Sequence, residues 1–204
     1  MGANPNSTLS ADEALARLKA GNERFLAGTA RFPTVQKEIL ADLAKGQSPY
    51  ATILSCSDSR VPPELIFDAG FGELFIVRVA GNVLSPEIAG SLQYAGRHLH
   101  TPLFVVLGHT SCGAVAAAVD ARLRGTRQLS RIQLLVDSIL PGLEHLDPQL
   151  TPEAMRAQAV EANVRWSMRQ ILETPEGQER QAEGKVKLVG AVYEIETGRV
   201  RFLE

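Results

Sequence analysis

Four short, almost unbroken apolar runs recur along the chain: Tyr50–Ser55, Leu74–Val79, Leu103–Leu107 and Val186–Tyr193. A strand with one wet face alternates apolar and polar residues. Runs without that alternation suit strands covered on both faces, as in parallel sheets. Helix-opening signatures fall between the runs. Pro62-Pro63-Glu64 and Ser85-Pro86-Glu87 each place proline where a first helical turn tolerates it, with Ser85 as an N-cap. The alanine-rich Cys112–Leu123 stretch is helix-prone. Further helices are expected over Leu129–Leu140 and from Thr151-Pro152-Glu153 to about Leu172. Upstream, Ser10-Ala11-Asp12-Glu13 reads as a capping box for a helix through about Gly28. Leu15, Leu18, Phe25 and Leu26 mark its apolar side. Another helix is expected from Thr34 to Lys45, stopped by Gly46. Gln178–Lys185 reads as a charged loop, and Glu196-Thr197-Gly198 as a turn into a last short strand, Val200–Leu203. Strand and helix alternate, so the expected fold is α/β: a mostly parallel central β-sheet flanked by helices.

A chain of 204 residues suits one domain, expected over 1–204. Its net charge of −2 lacks the basic footprint of a nucleic-acid binder. Arg122, Arg124, Arg127 and Arg131 read as a solvated helix face. No apolar run approaches the roughly 18 residues of a membrane span. Met1–Ser10 carries no basic-then-apolar leader, so no membrane partner and a cytoplasmic location are expected. Cysteines stay reduced there and remain free to ligate metal.

There are two cysteines, each at the end of an apolar run. Cys56 follows Ile53-Leu54-Ser55, and Cys112 closes Gly108-His109-Thr110-Ser111-Cys112. Ligands of an open α/β sheet bind past the carboxyl ends of its strands, so both motifs are expected on one edge. Two thiolates and one imidazole suit zinc, and three protein ligands with an open fourth position form the catalytic pattern. Other readings of these residues stand beside that one. The cysteines could be small buried hydrophobes or ligands of a structural zinc. Cys and His could also act as a nucleophile pair, which leaves the second cysteine idle. Asp58 and Arg60 lie two apart, as a turn Asp and a surface Arg or as a coupled pair beside the metal. In the coupled reading, Arg60 holds Asp58 off zinc, and Asp58 accepts or orients the proton of a zinc-activated water.

Cys56-Ser57-Asp58-Ser59-Arg60-Val61, Arg78-Val79-Ala80-Gly81-Asn82 and Gly108-His109-Thr110-Ser111-Cys112-Gly113 together resemble the β-class carbonic anhydrases, from about Ala14 to Val200. The resemblance implies one zinc per subunit on Cys56, His109 and Cys112, and an Asp58–Arg60 dyad. It implies reversible hydration of carbon dioxide to bicarbonate and a proton by a zinc-bound hydroxide. Asp58 becomes a metal ligand only in a closed state. Gln47, Phe75, Tyr94 and Gly113 match substrate-pocket positions. A homodimer or homotetramer is implied, with an N-terminal helical arm (10–46) packing on a partner subunit and a zinc-binding core (49–204). Leu15, Leu18, Phe25 and Leu26 would face that partner. Arg78 and Tyr193 resemble members of a bicarbonate-inhibition pocket, but Ile53 stands where that pocket has Trp. Two other functions share these residues: a carbon disulfide or carbonyl sulfide hydrolase, and a non-catalytic zinc-stabilised interaction module.

Overall fold

An interior strand, β1 (Ala51–Ser55), is buried along its whole length. Two strands flank it in parallel, β2 (Leu74–Arg78) on one side and β3 (Leu103–His109) on the other. β4 (Lys187–Tyr193) runs parallel to β3, and β5 (Val200–Phe202) closes the far edge antiparallel to β4. The order β2-β1-β3-β4-β5 reverses direction at β1. The chain goes outward from β1 to β2, then returns past β1 to build β3. A crevice opens past the carboxyl ends of strands at such a reversal, and ligands of open α/β sheets sit there. The computed structural model describes residues 9–31, 40–41, 43–184 and 186–203.

The α-helices around the sheet are α1 (Ala11–Leu26), α2 (Pro63–Ile66), α3 (Pro86–His98), α4 (Gly113–Arg124), α5 (Arg131–Ile139), α6 (Pro152–Glu173) and α7 (Pro175–Glu183). Alternate strand residues feed two cores. Leu54, Val77, Val106 and Val192 pack with α4, α5 and α6. Ile53, Val105, Leu107 and Val189 pack with α1 and α2. Both faces are covered, which is why the strand sequences show no alternation. No described helix is long and apolar enough to cross a membrane.

The expected caps form. Ser10 accepts from the Glu13 amide, and Glu13 accepts from the Ser10 amide at 2.8 Å, completing the box. Ser85 and Thr151 cap α3 and α6. The expected loop over Gln178–Lys185 is instead largely helical, as α7. Thr174-Pro175-Glu176 repeats the start signature of α6, Thr174 accepts from the Gly177 amide at 3.0 Å, and Gly184 ends the helix in the left-handed region. α7 buries no residue, so it has no apolar periodicity to reveal it. The helix expected over 34–45 falls mostly outside the described residues, although Leu40, Ala41 and Leu43 are helical.

α1 docks on its own sheet. Leu18 is fully buried, and Leu15 and Phe25 pack against the same core. Much of the face expected to embrace a partner is thus used inside the chain. Polar staples explain why. Asn22 is buried; it donates to the carbonyls of Ile66 (3.2 Å) and Gly198 (2.9 Å) and accepts from the Val200 amide (2.9 Å). Gly21 permits the close approach, since a Cβ there would lie 1.9 Å from the Phe67 carbonyl oxygen. Buried Asp68 accepts from Arg24 and from the Arg31 amide and guanidinium.

Candidate metal centre

Three segments converge past the carboxyl ends of β1 and β3. Ser55 pairs with Leu107, so Cys56 and His109 leave the same edge of adjacent strands. β3 extends two residues past the expected Leu107, and His109 is its final strand residue. Thr110 and Ser111 then turn the chain, Ser111 with φ +57°. Cys112 is the N-cap residue of α4. The Sγ atoms of Cys56 and Cys112 and a ring nitrogen of His109 lie within 4.8 Å of one another, and all three residues are buried.

His109 is prepared as a ligand. Its Nδ1 lies 2.8 Å from the Thr110 carbonyl oxygen, which can only accept, so Nδ1 carries the proton. Nε2 is left with a lone pair, and it is buried without a hydrogen-bond partner. An orphaned imidazole nitrogen costs free energy in a protein interior unless something fills its lone pair. A cation does so, and thiolate, imidazole and thiolate form a donor set that zinc favours. The residues therefore fit zinc.

The two thiols perturb each other in opposite directions. The hydrogen bond from Cys112 drives Cys56 well below the usual thiol range, and the Gly81 amide adds to that, 3.4 Å from the sulfur. The same shared hydrogen bond, together with burial, pushes Cys112 up. A dication held by these residues would favour ionisation of both sulfurs.

Asp58 and Arg60 form the expected pair. Arg60 Nε donates to Asp58 Oδ1 at 2.9 Å and Nη2 to Oδ2 at 2.7 Å, with the Arg60 amide on Oδ1 at 3.0 Å. This two-pronged grip holds the Asp58 carboxyl far below the usual carboxylate range. Asp58 Oδ2 sits 3.9 Å from His109 Nε2. That is too long for a hydrogen bond and close enough to face whatever occupies the lone pair. Arg78 pins the backbone of the loop, donating to the carbonyls of Cys56 (2.9 Å) and Asp58 (2.6 Å).

The remaining expected residues divide. Phe75 on β2 and Tyr94 on α3 stack at 6.1 Å between centroids, making one apolar patch. Gly113 opens α4 directly after Cys112. Gln47 is exposed in the segment before β1, and no described hydrogen bond ties it to the cluster. A separate cavity of about 380 Å³ lies between α3, the α6–α7 corner and the start of β4, and none of the ligand residues lines it. Sequence reasoning left Gly81, Asn163 and Ser167 without roles. The available signal was a polar pair inside the buried row Met155, Ala159, Asn163, Ser167 of α6.

Residues 51–200 match the family model described as carbonic anhydrase. Carbonic anhydrase 2 of Mycobacterium tuberculosis (strain CDC 1551 / Oshkosh) is 40% identical over 184 residues, covering 89% of this chain and 87% of that protein. Among solved structures, a β-carbonic anhydrase of the fungal pathogen Aspergillus fumigatus superposes with TM-score 0.75 at 26% identity, over 93% of this chain and 90% of that one. One of two β-carbonic anhydrases from the ascomycete Sordaria macrospora, described as tetrameric, matches with TM-score 0.75 at 24% identity, over 90% and 93%.

Proposed function

The chain belongs to the β-carbonic anhydrases, lyases that interconvert carbon dioxide with bicarbonate and a proton, and we propose that it works with one zinc ion held by Cys56, His109 and Cys112. The observation that carries this reading is the buried sulfur–nitrogen–sulfur cluster with His109 Nε2 unpartnered. Zinc bound there would supply a Lewis acid that makes hydroxide available near neutral pH.

The chain's own residues do the rest. Arg60 fixes Asp58 by both carboxylate oxygens, so the carboxylate stays ionised and aimed at the mouth of the cluster. From there Asp58 accepts or orients the proton of the attacking water at Oδ2. While both oxygens are held by Arg60, Asp58 is kept from the fourth ligand position, and only release of that grip would let it close on the metal. Phe75 and Tyr94 present an apolar wall suited to a small uncharged substrate. The Gly113 amide, first in α4, and the Gln47 side chain are the proposed hydrogen-bond donors to substrate oxygen.

Two coarser features extend the reading. Phe71, Leu65 and Tyr94 are 60%, 49% and 47% exposed on segments next to edge strand β2 in the chain. Such apolar exposure supports a homodimer or homotetramer. Ligand thiols need a reducing compartment, which supports the cytoplasm.

Stopped-flow carbon dioxide hydration with parallel metal analysis tests the reading. About one zinc per chain is expected, with hydration lost in Cys112→Ser together with the metal. A folded wild-type protein that takes up no zinc, or a zinc-loaded one with no hydration above buffer, overturns it.

A further inference from the structure

The Gly81-Asn82 turn supplies no ligand, yet its backbone reaches the metal centre. The Gly81 amide donates to Cys56 Sγ across 3.4 Å in a buried setting. Both turn residues are in the left-handed region to achieve this, Gly81 with φ +71° and Asn82 with φ +45°. Gly81 has no room for a side chain, since a Cβ would meet Ile139 Cδ1 at 2.9 Å and Ala114 Cβ at 3.0 Å. Asn82 has a Cβ, and asparagine is one of the few non-glycine residues that tolerate such a φ.

Two side chains from α6 hold it. Asn163 Nδ2 donates to the Gly81 carbonyl at 2.8 Å, and Ser167 Oγ donates to the Asn82 carbonyl at 2.9 Å. Each bond thus lands on one of the two left-handed residues. Asn163 and Ser167 are 1% and 0% exposed. They lie four apart, so one helix face carries both. A polar side chain in a buried stripe is costly unless it is bonded. Asn163 Oδ1 finds no partner, so the described side-chain bond kept at Asn163 is the single donation to Gly81.

We propose that Asn163 and Ser167 are positioning residues for the metal centre, clamping the Gly81-Asn82 turn so that the Gly81 amide stays aimed at the Cys56 sulfur. This rests on the zinc reading above. An amide donating to a sulfur draws charge from it and fixes which lone pair would face a bound ion. Two thiolates together nearly cancel the charge of a dication. Weakening one donor would leave a bound ion more positive. The clamp acts on the electronics of Cys56 through the Gly81-Asn82 backbone, from a helix that supplies none of the three clustered residues.

The test uses the full chain loaded with zinc and, separately, with cobalt(II) as a spectroscopic probe. Asn163→Ala and Ser167→Ala are compared with wild type and with Val164→Ala, a change to a buried α6 neighbour that has no side-chain bond to the turn. Zinc affinity is read by chelator competition, and the thiolate-to-cobalt charge-transfer band in the near ultraviolet. Both clamp variants are expected to weaken zinc about tenfold or more beyond the Val164→Ala effect, because losing the fixed position of the Cys56 sulfur outweighs the gain in its donor strength. Their band moves to longer wavelength, because the sulfur becomes more electron-rich. Ser167→Thr, which keeps the hydroxyl, restores both readings. A band at the wild-type wavelength in the clamp variants overturns the proposal, whatever happens to their stability. Where Asn163→Ala fails to fold, Ser167→Ala decides alone. Wild-type protein that takes up neither metal overturns the zinc reading instead, so the two failures are distinguishable.

Discussion

Arg60 works by shape as much as by charge. Its planar fork meets both oxygens of Asp58 while half of its own side chain faces solvent. A residue so exposed contributes little to folding, which separates its role in the site from any role in stability. Arg60→Ala is expected to lower kcat/KM for hydration by about a hundredfold, the low end of what a positioned proton acceptor contributes. Its urea midpoint should move by no more than about 0.5 kcal/mol in stability. Arg60→Lys should recover only part of the rate, because an ammonium cannot engage two oxygens in one plane. Stopped-flow rates beside urea curves check this. Full activity in Arg60→Ala, or a loss explained by unfolding, removes Arg60 from the mechanism.

At the scale of elements, the docking of α1 has a pH signature. Burial pushes the Asp68 carboxyl up, but the hydrogen bonds from Arg24 and from the Arg31 amide and guanidinium outweigh it and leave the group below its ordinary value of 3.8. A depressed carboxyl stabilises the fold at pH above that ordinary value. The contribution is lost as pH falls below 3.8 toward the folded-state value. Asp68→Asn is expected to cost about 1–3 kcal/mol at pH 7 and to flatten the acid limb of stability against pH. Urea midpoints from pH 7 down to pH 3 measure it; parallel limbs for variant and wild type would refute the assignment. The docking itself was poorly legible in the sequence. The capping box announced α1, but a stripe of Leu15, Leu18 and Phe25 has no label for which chain it meets. The deciding groups, Asn22 and Asp68, are polar residues whose partners are backbone and arginine far along the chain. α7 escaped for the opposite reason, having caps but no apolar stripe. By contrast, β1 and β3 with Cys56, His109 and Cys112 could be read directly, because runs buried on both faces and ligands at strand ends are local patterns. Asn163 and Ser167 needed the fold, since only the packing of α6 reveals which carbonyls they meet.

For the whole molecule, β2 is the edge that matters. Its outer side has no partner strand among the described residues, and Phe71 stands 60% exposed just before it. Edges of this kind are normally covered. If this surface is the proposed subunit contact, Phe71→Glu should shift the assembly toward smaller species in sedimentation velocity without changing the fold by circular dichroism. An unchanged sedimentation profile would move the contact elsewhere. The reversal of strand order at β1 has a consequence in time. Cys56 leaves the ribosome with the first strand, and β2 and α3 must then be made before His109 and Cys112 follow. At roughly 5–20 residues per second, the first thiol waits about 3–11 s for its partners. Throughout that interval Cys56 stands without His109 and Cys112. The Cys56–His109–Cys112 group therefore closes only once β3 and the start of α4 have been made, about halfway through synthesis, and until then Cys56 is a lone thiol open to oxidation.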